Sequence, residues 1–147
     1  MMPCRNYWNA AVIGGSSAGA TILGSYLARG DTISNTVMLG DHEEGFSFIS
    51  NIAIDQHLRR RNRQLDMLEI TSAKPELLGI GLDEDTAIVV RNNRFEVIGN
   101  SYAVINDDTR QIDRGGPFYF LEPGDQYDSL SGRPIAPTEA SSHLKEL

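Results

Sequence analysis

The segment Gly14-Gly15-Ser16-Ser17-Ala18-Gly19-Ala20 constrains this chain more than any other, because it demands a strand that turns abruptly into a helix. Such a turn brings its apex close to main chain on both sides, and glycine at positions 15 and 19 leaves room for the approach. Ser17 then stands exposed at the mouth of a sheet. The helix that follows presents its first unbonded N–H groups beside the serine oxygen, which puts the Ala18 amide where an oxyanion of acyl transfer would form. Strand, glycine-rich turn and helix also describe a phosphate-binding loop. The flanks favour the serine turn by supplying the context it requires: Ala10-Ala11-Val12-Ile13 reads as a short strand buried on both faces, and Ile22, Leu23, Tyr26 and Leu27 recur at helical spacing up to Gly30.

At 147 residues the chain suits one domain with a single core. A composition of 40% hydrophobic and 22% charged residues is that of a soluble globular protein, and no apolar run approaches the length that crosses a bilayer. The first residues, Met1 to Asn6, lack the apolar core of a signal peptide, so a cytoplasmic location is expected. Cys4 is the lone cysteine and has no partner for a disulfide or a metal site. A formal charge of −7 disfavours nucleic acid as a partner. Against that acidic background, Arg59, Arg60, Arg61 and Arg63 form a local cluster. It reads either as a solvated face or as a site for carboxylates.

Beyond Gly30, Asp31–Thr36 and Gly40–Gly45 read as surface loops. Phe46–Ile49 and Ile52–Ile54 are apolar, and Leu58 to Ile70 carries a moderately amphipathic helical pattern that must end before Pro75. The second half is a series of strand candidates: Leu78–Leu82, Ala87–Val90, Phe95–Ile98 after an Asn92-Asn93 turn, Tyr102–Ile105 and Phe118–Leu121. Arg133 to Leu147 reads as a polar tail, which leaves 1–132 as the domain. The order of βα units followed by a meander predicts an α/β sheet with an antiparallel extension.

A serine hydroxyl near neutral pH needs a base, and the base needs a group to orient it. His143 lies in the tail, His42 sits in an acidic loop as a rival base, and His57 follows Ile52-Ala53-Ile54 at a strand end, where sites collect on α/β scaffolds. The plainer reading of His57 is a core or capping histidine. Asp83 and Glu84 close the next apolar run, and a period of two sends them to opposite faces, so only one can serve.

Taken together, Gly15-Ser16-Ser17-Ala18-Gly19-Ala20, Ile54-Asp55-Gln56-His57-Leu58 with Arg61 and Arg63, and Gly79-Ile80-Gly81-Leu82-Asp83-Glu84-Asp85-Thr86-Ala87 resemble the cyanophycinase group of the S51 serine peptidases. The resemblance implies a class I glutamine-amidotransferase-like, flavodoxin-like sheet and a Ser-His-Glu arrangement: Ser17 as nucleophile, His57 as base and then acid, Glu84 as orienting acid. It assigns substrate contact to Asp55, Gln56, Arg61 and Arg63, and places Asp66 where the family carries a further arginine. It implies no metal and no organic cofactor. The substrate it implies is cyanophycin, an aspartate backbone bearing arginine on each side-chain carboxyl, or a related Asp/Arg peptide; relatives that cut after aspartate in dipeptides are the alternative. The matched region, about Trp8 to Tyr127, corresponds to the second half of a family member. The chain is therefore expected to be a truncated or split form, partnered by an N-terminal complementing chain or by a second copy.

Overall fold

The computed structural model describes residues 11–108 and 118–136. Cys4, His143 and the rest of the tail beyond 136 lie outside them.

The chain folds into two facing sheets flanked by short helices. The first holds β1 (Gly24–Tyr26), β2 (Ile49–Gln56), β3 (Leu78–Leu82), β6 (Ala103–Asn106) and β7 (Tyr119–Leu121) in the order β1-β2-β3-β6-β7. Strands β1, β2 and β3 run parallel, and β6 and β7 join antiparallel. The second sheet is antiparallel throughout: β4 (Thr86–Arg91), β5 (Arg94–Gly99), β8 (Gln126–Asp128) and β9 (Arg133–Ile135), in the order β4-β5-β8-β9. Helix α1 is Ala18–Thr21 and α2 is Met67–Ala73.

Alternation along β2 and β3 separates two cores. Ile52 and Ile54, with Leu78, Ile80 and Leu82, face the second sheet and pack with Phe95, Val97 and Tyr127. Ala53 faces the other way, among Tyr26, Met38, Met67 and Ile70. On that side β3 presents only glycine: a Cβ on Gly79 would lie 2.2 Å from Met67 Cγ, and one on Gly81 would lie 2.8 Å from Leu58 Cδ1. The missing side chains let α2 and the turn carrying Leu58 lie directly against the strand. Gly79→Val is accordingly expected to overpack this face and cost about 1–3 kcal/mol, read as a lower urea midpoint with unchanged slope.

Several elements depart from the sequence expectations. The helical spacing of Ile22 to Leu27 yields only the short α1; Gly24–Tyr26 is instead a parallel strand, where a Cβ on Gly24 would meet the Ile52 carbonyl oxygen at 2.6 Å. Residues 11–13 form no strand among the described residues, and Val12 is fully exposed. A strand exists only through its ladder partners, and among the described residues none pairs with this run. The pattern from Leu58 to Ile70 resolves into turns as far as Asp66 and then α2, with Leu65 on the surface. Arg133–Ile135, expected in the tail, is β9, because its backbone completes the ladder with β8. The strand candidates from Leu78 onward form close to where they were expected, as do the loops at 31–36 and 40–45.

Candidate functional site

Ser17 occupies the residue before α1 with φ 54° and ψ −126°, an uncommon backbone for a residue with a side chain. Its side chain does not cap the helix. Gly15 makes the turn possible, since a Cβ there would lie 2.2 Å from the Gly19 carbonyl oxygen. At Gly19 a Cβ would meet nothing within 4 Å, so the expected crowding applies to position 15 and not to position 19.

The hydroxyl of Ser17 lies 3.0 Å from His57 Nε2, and His57 Nδ1 lies 2.5 Å from Glu84 Oε1. The three side chains thus form one series. Each comes from a different connection: the turn before α1, the end of β2, and the turn after β3. His57 and Asp85 also have positive φ, at 60° and 55°. Two members of the hydrogen-bonded series, Ser17 and His57, and the neighbour of the third thus hold left-handed backbone. Ser17 is exposed and the His57 ring is largely covered.

Asp83 does different work. Its Oδ1 accepts from the Arg59 N–H at 2.9 Å and its Oδ2 from the Ser101 hydroxyl at 2.6 Å, so it pins the turn that follows His57. Burial pushes its carboxyl up, but the Ser101 hydroxyl and the N–H groups of Arg59 and Glu84 outweigh it, and the pKa falls below the ordinary 3.8. The folded chain then binds fewer protons here than the unfolded chain. Asp83 therefore stabilises above that ordinary value, and the contribution fades as pH falls through the lowered folded value. Urea midpoints taken between neutral and acid pH are expected to converge for the parent and Asp83→Asn; a constant gap would contradict this.

The rival base His42 sits in the loop, with Nδ1 2.9 Å from Asp41 Oδ1. Asp41 is held at about 2 chiefly by the Thr32 hydroxyl, then by His42. That cluster fastens the long connection between β1 and β2.

The residues assigned to substrate divide. Gln56 lines a cleft of about 870 Å³ together with Ser17, His57, Glu84 and the apolar Leu23, Ile49 and Ile54. Arg61 is exposed on the neighbouring turn. Asp55 and Arg63, by contrast, are buried and outside the cleft lining. Arg29 Nε and Nη2 donate to the two carboxylate oxygens of Asp55 at 2.9 and 2.8 Å, and Nη2 also reaches Asp66 Oδ2 at 2.6 Å. Arg63 Nη1 lies 3.7 Å from Asp55 and donates to the Gln56 carbonyl. Asp55 thus sits below the cleft floor, held by arginines of this chain. Arg29 escaped sequence reading because it lies far from the arginine cluster; the one available signal was a carboxylate inside an apolar strand, which requires a cation somewhere.

Among the described residues no cluster of His, Cys, Asp or Glu is arranged for a metal, and no helix is long and apolar enough to cross a membrane.

The molecule is thus a mixed α/β domain with serine, histidine and glutamate joined in series at one rim. The model of peptidase family S51 matches residues 4–98, and the chain belongs to that family, as its three motifs led one to expect. It is 38% identical over 98 residues to a cyanophycinase from Geminocystis herdmanii, covering 65% of this chain and 36% of that protein. A cyanophycinase from Trichormus variabilis is 35% identical over 100 residues, with 66% and 34% covered. The chain spans about a third of the length of these curated relatives. Among solved structures, a peptidase from an acI-B1 Actinobacterium aligns with a TM-score of 0.46 at 25% identity, over 76% of this chain and 43% of that one.

Proposed function

We propose that this chain carries the catalytic portion of a cyanophycinase-like serine peptidase, which cleaves cyanophycin or related β-Asp-Arg amides through an acyl-enzyme. The observation that carries the reading is the unbroken series from Ser17 Oγ through His57 to Glu84 Oε1. Ser17 Oγ attacks the scissile carbonyl while His57 Nε2 takes its proton, and Glu84 holds the Nδ1–H tautomer and stabilises the imidazolium. The Ala18 N–H faces the developing oxyanion. Collapse of the tetrahedral intermediate breaks the amide as His57 returns the proton to the leaving nitrogen. Water, deprotonated by His57, then releases the acid and restores Ser17.

On this reading Gln56 and Arg61 contact the substrate, Arg61 through the bidentate pairing that guanidinium offers a carboxylate. Asp55 and Arg63 support them from beneath. The parallel part, β1-β2-β3, is read as one side of a class I glutamine-amidotransferase-like, flavodoxin-like sheet.

A second reading has its own observation. Val12 is fully exposed and Ile13 and Phe48 are partly so, around a cleft with apolar walls. A surface of this kind suits a chain that works only with a separate N-terminal polypeptide or a second copy, as a split or truncated form would. A fluorophosphonate probe separates these readings. Modification of Ser17 in the folded chain alone supports the peptidase; modification only after a relative's N-terminal half is added supports the complementing subunit. A folded chain that stays unmodified in both conditions marks a remnant without catalysis.

A further inference from the structure

Strand β4 is an edge strand, and its open side borders the cleft. The Asn92-Asn93 turn joins Arg91 and Arg94 as directly opposed residues, so Arg91, Val89 and Ala87 exchange hydrogen bonds with β5. Ile88 and Val90, opposite Val97 and Phe95, fall between those bonded pairs. Val97 uses both its backbone groups on the far side, donating to the Asp125 carbonyl and accepting from the Gly124 N–H. The N–H and C=O groups of Ile88 and Val90 therefore point away from β5, and no described residue pairs with them. Thr86 to Val90 line the same cleft as Ser17, His57 and Glu84, and β4 begins beside Glu84.

Such an edge is a template for one more strand. We propose that the open edge of β4 is a docking rail, on which the main chain of an extended peptide adds as a strand and leads its scissile amide to Ser17. This rests on the peptidase reading and adds the way the substrate is held. The occupant is a peptide rather than a compact ligand, because the unpaired groups recur at every second residue along the cleft wall. Arg91, exposed at the far end of β4, favours a peptide bearing carboxylates. Affinity would come from main-chain hydrogen bonds, so side chains on the peptide can vary.

The test uses the full chain with Ser17→Ala and a short poly-aspartate peptide carrying arginine on each side-chain carboxyl. Adding the peptide should slow amide exchange at Ile88 and Val90, while Ala87 and Val89, already in the ladder, change little. Ile88→Pro removes an outward N–H that β5 does not use, and should weaken binding about tenfold or more. Should that variant unfold, the same peptide with its main-chain amides N-methylated must lose affinity by a similar factor. Binding without slowed exchange at Ile88 and Val90, undiminished affinity in the proline variant or for the methylated peptide, slow exchange before any peptide is added, or no binding at all would each overturn the rail. Failure of the peptidase reading looks different: Ser17 of the parent chain stays unmodified by a fluorophosphonate, whether or not β4 holds a peptide.

Discussion

Ser17→Ala is expected to abolish hydrolysis of a β-Asp-Arg polymer, a loss of at least about 10⁴-fold in kcat, while leaving the fold intact. The two halves of that statement have separate causes. On the proposed mechanism the activity depends on the Ser17 oxygen, which lies 3.0 Å from His57 Nε2. The fold does not, because Ser17 is exposed and its hydroxyl caps no helix end. Release of the dipeptide from the polymer and a urea melt measure the two sides independently, in the chain completed by whatever N-terminal partner activity requires. Turnover that survives in the alanine variant would remove Ser17 from the mechanism. Glu84→Gln offers the finer comparison: an amide can present its NH₂ to Nδ1 and hold the wrong tautomer, so the rate should fall by about 10³–10⁴ while the site keeps its shape. Asp83→Asn, one residue away, should instead act through stability, since its partners are Arg59 and Ser101 and not His57.

That contrast also shows where sequence reasoning reached its limit. The alternation of β3 says that residues 83 and 84 part company, but which side holds the histidine depends on tertiary packing, and family resemblance had to make the choice. Apolar periodicity identified β3, β4 and β5 because each is long enough to repeat and is bounded by Gly, Asn or acidic residues. It failed around Gly24, where Leu23, Tyr26 and Leu27 fit a helix on paper. The glycine between them accepts a neighbour too close for any side chain, and this favours pairing with β2. The run Ala10 to Ile13 has the composition of a buried strand, yet composition cannot provide the neighbour that would bury it. At the candidate site, the motifs gave positions in the chain, and the depth at which each side chain sits was invisible in them. Asp55 and Arg63 carry the same polar character as Gln56 and Arg61, but the alternation of β2 turns Asp55 away from Gln56, and Arg63, in the turns after β2, is drawn inside by Asp55 and the Gln56 carbonyl.

The depth of Asp55 leads to the second large effect. Its carboxylate is fully buried, bonded at both oxygens by a guanidinium that is itself almost covered, with a second arginine 3.7 Å away. Asp66 draws the same Arg29 group toward the turn after His57, so the charges of Arg29 and Arg63 are matched by those of Asp55 and Asp66. Removing Asp55 leaves cations in a place that water reaches poorly, a change that costs about 3–5 kcal/mol, whereas an apolar pair in place of both partners costs far less. Asp55→Ala should therefore lose most of its urea midpoint or fail to fold, and Arg29→Met combined with Asp55→Leu should recover much of that loss. Because Asp55 sits two residues before His57, the single variant should also disturb the Ser17–His57 contact, and the double variant should restore it in the rate of fluorophosphonate labelling. If instead Asp55→Ala melts like the parent and loses only affinity for the Asp/Arg polymer, Arg29 must release the carboxylate when substrate arrives, and Asp55 is a contact residue after all.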